Sequence, residues 1–221
     1  MATAEQPVPN SCAGPFGAFY DFYIERPRLV SVIGRAVWGI DSSVLYASMA
    51  PISRASDGAT IADVPCGGGV AFRALSPGQD VRYLAMDLSP KMLRRAERRA
   101  RRRSLKQVEL RVADMTELPL ADGEVDFFLS YSGLHMVPDP QRAVAEIARC
   151  LKPGGQLIGT AFFSDAPRRA RAIFRAGSYR GHPLPPSRGD LRAWLGEAGF
   201  EEPTIGPQPG FAAFGGRKSA S

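Results

Sequence analysis

The stretch Ile61-Ala-Asp-Val-Pro-Cys-Gly-Gly-Gly69 decides how this chain folds. A short apolar run, 60–65, leads directly into three glycines, Gly67, Gly68 and Gly69. A strand that enters a glycine-rich turn and then a helix is the opening unit of a parallel α/β sheet, because the turn lets backbone approach a ligand and aims a helix N-terminus at it. Working outward, VRYLAMDL at 81–88 predicts a second strand, VELRVAD at 108–114 a third and QLIGTAFF at 156–163 a fifth. The fourth, VDFFLSYS at 125–132, is nearly all apolar, as a strand buried on both faces should be. Between them, helical patterns run from Pro90 to about Arg103 and over 139–151, the latter with Asp139 as N-cap and Pro140 at its first position. Lys152-Pro-Gly-Gly155 reads as the end of that helix. A last helix is expected over 190–198, and the tail from 201 to 218 suggests two short strands joined by a Pro/Gly turn. Strands alternating with helices imply an α/β fold with a doubly wound, mostly parallel, seven-stranded sheet.

The ends read differently. Residues 1–15 are polar and rich in Pro, Ala and Gly, and are expected to be a flexible arm. Residues 16–50 carry aromatic and aliphatic groups at helical spacing and are expected to form a short N-terminal helical cap, with the main domain over 51–221. Residues 164–189 break the rhythm with an arginine-rich helical stretch and a Gly/Pro loop, a candidate lid.

The chain's 221 residues, 44% hydrophobic and 23% charged, suit one compact domain and exclude wholesale disorder. No apolar run approaches the roughly 18 residues of a membrane span. The N-terminus lacks a basic segment followed by an apolar one, and Cys12, Cys66 and Cys150 are too scattered for a disulfide framework or a zinc knuckle. A reduced, cytoplasmic protein with no metal site is expected. The net charge of +6 belongs to one place: Arg94–Arg103 holds seven arginines and one glutamate, and the remainder is neutral. Met92, Ala96 and Ala100 fall at helical spacing inside this run, which therefore reads first as a solvated helix face. A nucleic-acid surface is the less favoured reading, since no aromatic residue interleaves with the arginines.

The details of the glycine turn narrow its ligand. The G-x-G-x-x-G spacing of a dinucleotide site is absent, and so is the Gly-Lys pair of a phosphate loop. Asp63 ends the first strand, where a carboxylate would repel a pyrophosphate. Asp87 ends the second, 24 residues on, where an acid can accept both hydroxyls of a ribose, and Asp114 ends the third, 27 residues further, within reach of an exocyclic amine. Each aspartate alone reads more simply as a turn former. Three in register beside a glycine turn suit a cationic, ribose-bearing ligand without phosphate, S-adenosylmethionine.

These residues resemble those of the class I S-adenosylmethionine-dependent methyltransferases, and among them the small-molecule group that includes ubiquinone and menaquinone biosynthesis enzymes. The resemblance runs from about Thr60 to Phe163 and is carried by IADVPCGGG, YLAMDLSPKML, VADMTELPLADGEVDFFLSYSGLH and DPQRAVAEIARCLKPGGQLI. It implies the Rossmann-like methyltransferase fold and methyl transfer to a small-molecule acceptor at O, C or N. It also implies a cofactor-binding set. Asp63 and the loop of Pro65, Cys66, Gly67 and Gly69 would hold the methionine end. Asp87 would bind the ribose, Leu88 would pack near adenine, the backbone of Met115 would contact its ring, and Asp114 would reach its amine. Ser130 would lie near the sulfonium, and Tyr20 would cover the cofactor from the N-terminal cap. Relatives usually have glycine where this chain has Pro65. Proline fixes φ near −65° and removes an N–H, so this loop is expected to take its own shape, while Gly67 and Gly69 keep a close approach possible.

Methyl transfer from a sulfonium is an in-line displacement that depends chiefly on alignment and desolvation. A general base is needed only for a weakly acidic hydroxyl or a protonated amine. His135, in the loop after the fourth strand, is the candidate catalytic residue; its simpler reading is a hydrogen-bonded loop histidine. The cap and candidate lid are rich in aromatic residues, which suits an aromatic or lipophilic acceptor. Two other functions stay open: a non-catalytic cofactor-binding scaffold or regulator with this fold, and an RNA methyltransferase using the arginine helix.

Overall fold

The computed structural model describes residues 32, 34, 35, 41, 43–178 and 184–220. The expected arm at 1–15 and most of the cap at 16–50, including Tyr20, lie outside them. Seven strands form a single sheet: β1 (Ala59–Asp63), β2 (Val81–Asp87), β3 (Val108–Val112), β4 (Val125–Tyr131), β5 (Leu151–Phe162), β6 (Phe200–Ile205) and β7 (Phe211–Lys218). Their spatial order is β3-β2-β1-β4-β5-β7-β6. The first five run parallel, and β7 lies antiparallel to both β5 and β6. The chain leaves β1 outward to β2 and β3, then returns to β1's other side with β4. That reversal opens a crevice at the carboxyl ends of β1 and β4, the place where open α/β sheets bind ligands.

Among the described residues five α-helices flank the sheet: α1 (Ser43–Ala47), α2 (Pro90–Arg102), α3 (Pro140–Cys150), α4 (Arg168–Ser178) and α5 (Arg188–Glu197). One face of the sheet presents Ile61, Tyr83, Ala85, Leu129 and Tyr131, packed with Leu45 from α1, Met49 beyond it, and Leu93, Ala96 and Ala100 from α2. The other presents Ala62, Val64, Leu84, Met86 and Phe128, covered by Ala143, Val144 and Ile147 of α3 and Leu191 and Leu195 of α5. The period-two alternation of the strands and the 3.6 period of the helices thus resolve into two separate cores. The arginine run takes the expected form. α2 buries Met92, Leu93, Ala96 and Ala100 and starts at Ser89, whose hydroxyl accepts from the Met92 N–H. Its C-terminal end is fastened by Arg103, which donates to the carbonyls of Arg73 and Leu75.

Three local expectations are revised. The element after the glycines is not an α-helix but a five-residue 3₁₀ turn, Val70–Ala74. The loop uses the residues up to Gly69 and a Ser76-Pro-Gly turn closes the crossover, so too few remain for an α-helix, and tight 3₁₀ turns serve in such short pieces. The stretch Lys152–Gly155 does not merely stop α3. It lies inside β5, which begins at Leu151 and reaches its main register only after a shift between the Val125 and Phe127 pairings. Helix α5 begins two residues early because Ser187 and Asp190 form a capping box.

Phe128 is fully buried between β4 and the α3–α5 layer. Phe128→Ala should lower unfolding free energy by about 3–5 kcal/mol, read as a reduced urea midpoint with an unchanged m-value.

Candidate functional site

The glycine turn is built as a continuation of sheet pairing. The Val64 N–H donates to the Leu129 carbonyl of β4 (2.9 Å), and the Cys66 N–H to the Met86 carbonyl of β2 (2.8 Å). Pro65 stands between them, so its missing N–H leaves no orphaned partner in the alternation. The Val64–Pro65 peptide is cis. The Gly67 N–H then donates to Asp87 Oδ2 (2.9 Å), and the Gly69 N–H turns back to the Cys66 carbonyl (2.9 Å). Gly67 and Gly69 both have positive φ, 54° and 78°. At Gly69 a Cβ would also strike the Phe72 ring at 2.5 Å; at Gly67 it would meet nothing within 4 Å among the described residues, which leave space above this part of the loop.

Asp87 ends β2 with both carboxylate oxygens engaged by backbone, Oδ2 by Gly67 and Oδ1 by the Ser89 N–H at 2.8 Å. Each oxygen keeps a second acceptor site. Burial raises its carboxyl above the ordinary value, and the two amides work against that shift. Leu88 is 46% exposed beside it, an apolar side chain open to a ligand's flat face.

Asp63 lies deeper, 1% exposed, and its Oδ2 accepts from the Tyr83 hydroxyl at 2.8 Å. Burial pushes its carboxyl up to about 7; the Tyr83 bond lowers it and the neighbouring Asp87 charge raises it. The Cys66 thiol is also pushed up, first by burial and then by the two aspartates.

Asp114 is placed outside the sheet pairing, two residues beyond β3. It is exposed, and its Oδ1 accepts from the backbone N–H and hydroxyl of Thr116. Asp114 thus shapes a turn while sitting at the same end of the sheet. Met115, next to it, is buried.

On the β4 side, Ser130 is fully buried and its hydroxyl has no hydrogen-bond partner among the described residues. It faces Gly133, where a Cβ would lie 2.3 Å from Pro65 Cδ and 3.0 Å from Ser130 Oγ. His135 is 9% exposed and meets the Phe162 ring edge to face, with centroids 4.9 Å apart; Phe162 in turn packs on Phe211 at 4.8 Å. This aromatic row joins the loop after β4 to the end of β5 and the start of β7.

Asp63, Asp87, the Pro65–Gly69 loop, Leu88 and Ser130 therefore converge at the carboxyl ends of β1, β2 and β4. Their chemistry fits the expected cofactor: carboxylates for a cation and hydroxyls, an exposed apolar group, and open space over Gly67. Tyr83 was missed by the sequence reading. Its period-two relation to Asp87 placed it on the Asp63 side, but a tyrosine within an apolar strand reads as core. Tyr20 lies outside the described residues, and among the described residues no His, Cys, Asp and Glu cluster could hold a metal ion.

Residues 62–159 match the family model described as a methyltransferase domain. An arsenite methyltransferase of Halobacterium salinarum is 29% identical over 173 residues, covering 77% of this chain and 43% of the relative. A 27-O-demethylrifamycin SV methyltransferase of Amycolatopsis mediterranei is 28% identical over 163 residues, covering 69% of this chain and 58% of the relative. The chain thus spans less than two thirds of either relative's length. Among solved structures, a Haemonchus contortus phosphoethanolamine N-methyltransferase in complex with S-adenosyl-L-methionine superposes with a TM-score of 0.77. It is 15% identical, over 98% of this chain and 61% of that one. A [4+2]-cyclase superposes with a TM-score of 0.67 at 20% identity, over 82% of this chain and 84% of that one. At such identities the structural likeness is one of fold.

The Pro65–Gly133 contact has a measurable consequence. Gly133→Ala should cost about 1–3 kcal/mol through overpacking. Combining it with Pro65→Gly should recover part of that cost in a double-mutant cycle of urea midpoints, whereas strict additivity would show that the two positions do not press on each other.

Proposed function

We propose that this chain, whose residues 62–159 match a methyltransferase domain, is a class I methyltransferase that binds S-adenosylmethionine and methylates a small-molecule acceptor. The observation that carries this reading is the convergence of the Asp63 and Asp87 carboxylates on the Gly67 loop at the sheet's reversal point. When bound, the cofactor supplies an electrophilic methyl group on a sulfonium. The protein's own residues bind, orient and desolvate.

Asp87, held from behind by the Gly67 and Ser89 amides, presents its remaining lone pairs to the ribose hydroxyls. Asp63 supplies negative charge beneath the loop, attracting the cationic methionine end through a medium with little water to screen it. Leu88 and Met115 flank adenine, and the Asp114 side chain reaches its amine. Ser130, otherwise without a partner, lies at the reacting end. Pro65, Cys66 and Gly69 fix the loop over which the methionine end lies.

The acceptor side begins at His135. Its edge-to-face packing on Phe162 fixes the imidazole plane, and the adjoining Phe211 extends an apolar wall. This row suits an aromatic or lipophilic acceptor held in line, with His135 orienting an acceptor hydroxyl or amine and taking its proton. Segment 164–189, which contains α4, would cover the acceptor. The two methyltransferase relatives, whose names specify arsenite and a demethylrifamycin, support a small-molecule acceptor over a nucleic acid.

A panel of phenols, quinone precursors and thiol-coordinated arsenite, incubated with methyl-labelled S-adenosylmethionine, tests the activity; transfer of label to one of them is expected. For that acceptor, His135→Ala should lower kcat by about 10²-fold while the Kd for S-adenosylmethionine stays within about twofold. Cofactor binding with no transfer to any acceptor would favour a scaffold, and unchanged kcat in His135→Ala would remove the residue from the reaction.

A further inference from the structure

A buried tyrosine–carboxylate pair lies under the glycine loop. Tyr83, in the middle of β2, is fully buried, and its ring packs edge to face on Phe72 at 5.5 Å between centroids. Phe72 belongs to the 3₁₀ turn that follows the glycines, and the open side of Gly69 is what lets its ring lie there. The Tyr83 hydroxyl is thereby aimed at one acceptor, Asp63 Oδ2, at 2.8 Å. The second Asp63 oxygen has no hydrogen bond among the described residues.

Among the described residues, the groups facing Asp63 come from β2, the glycine loop and β4. They are Tyr83 and Asp87 from β2, Cys66 from the loop and Tyr131 from β4. None is a cation. Tyr131 does not compete for the carboxylate, because its hydroxyl donates to the Ser48 carbonyl at 3.2 Å, just after α1. From the α1 side Leu45 and Met49 join this core, and Val44 and Tyr46, partly buried, pack against it. Tyr83 is therefore the one side chain among the described residues that hydrogen-bonds the Asp63 carboxylate.

We propose that Tyr83 is a positioning residue of the cofactor site: its hydroxyl orients and stabilises the Asp63 carboxylate, so that capture of a cationic ligand depends on Asp63 being ionised. The proposal rests on the methyl-donor reading above and adds to it a second residue and a pH dependence. The direction follows from the charges. A hydrogen bond donated to a carboxylate favours the ionised form, and burial favours the neutral one. Burial prevails here, leaving Asp63 near neutrality in its titration. Above that point Asp63 is anionic and attracts the ligand; below it the attraction is lost. Removing the Tyr83 hydroxyl raises the point further.

The test is S-adenosylmethionine affinity from pH 5.5 to 8.5 for the wild type, Tyr83→Phe and Asp63→Asn, with melting temperatures as the folding control. The ligand's own amine titrates identically in all three, so the comparison is between profiles. Wild-type affinity should fall up to tenfold per unit as pH drops below about 7. In Tyr83→Phe the fall should begin about one unit higher, making binding at pH 7 several-fold weaker while the melting temperature at pH 5.5 changes little. Asp63→Asn should bind weakly, and its profile should lack the steep fall. Coincident profiles for wild type and Tyr83→Phe overturn the role of Tyr83. A wild-type-like profile in Asp63→Asn overturns the role of Asp63, and decides the matter even if Tyr83→Phe does not fold. No wild-type binding at any pH overturns the methyl-donor reading itself.

Discussion

The hydrogen bond from the Gly67 amide to the Asp87 carboxylate, 2.9 Å long, is the constraint on which the site depends. It joins the turn after β1 to the end of β2, and it does so only because the two strands are already paired in register up to Asp63 and Ala85. A bond to a charged acceptor contributes about 1.5–3 kcal/mol, and here it also offsets part of the cost of keeping a carboxylate buried. It fixes the positive φ of Gly67, and with the Cys66–Met86 bond it holds the whole loop against the sheet. The clearance at Gly133 and the Phe72 ring under Gly69 are both consequences of where that loop is held.

The same arrangement is electrostatically uncomfortable without a ligand. Asp63 and Asp87 are both buried, Asp87 raises the proton affinity of Asp63, both raise that of Cys66, and among the described residues no cationic side chain pairs with either. For Asp63 the folded protein holds its proton up to about 7, against an ordinary value of 3.8. Between those limits the native state binds more protons than the unfolded one, so this group's contribution to stability falls as pH rises. A cation delivered to the crevice relieves both carboxylates. Stored electrostatic cost of this kind is typical of binding sites, and a core built for stability alone would avoid it.

Much of this was legible in the chain because each element follows a strong local rule. The nearly continuous apolar runs of β2 and β4 and the Asp139–Pro140 start of α3 all carry their signals within a few residues. Asp63 and Asp87 were recognisable from their places at strand ends. What escaped depended on contacts far apart in sequence. The 3₁₀ turn after Gly69 reflects how little chain remains before Pro77 and Gly78. The inclusion of Lys152–Gly155 in β5 depends on pairing across the bulge with β4. Tyr83 became part of the site only when β1 and β2 were laid side by side, since its partner lies 20 residues away. Asp114, taken as a strand end, proved to be the centre of its own turn, because Thr116 offers it two donors at once.

The proposed function makes the loop and its carboxylates a site for a cationic nucleoside. Isothermal titration of the protein with S-adenosylmethionine and, separately, with NAD and NADP tests it most directly, repeated on Asp87→Ala. Saturable binding of S-adenosylmethionine alone, lost or weakened at least tenfold in the variant, is the predicted result. Binding of a dinucleotide in its place, or S-adenosylmethionine binding that is indifferent to Asp87→Ala, would contradict it.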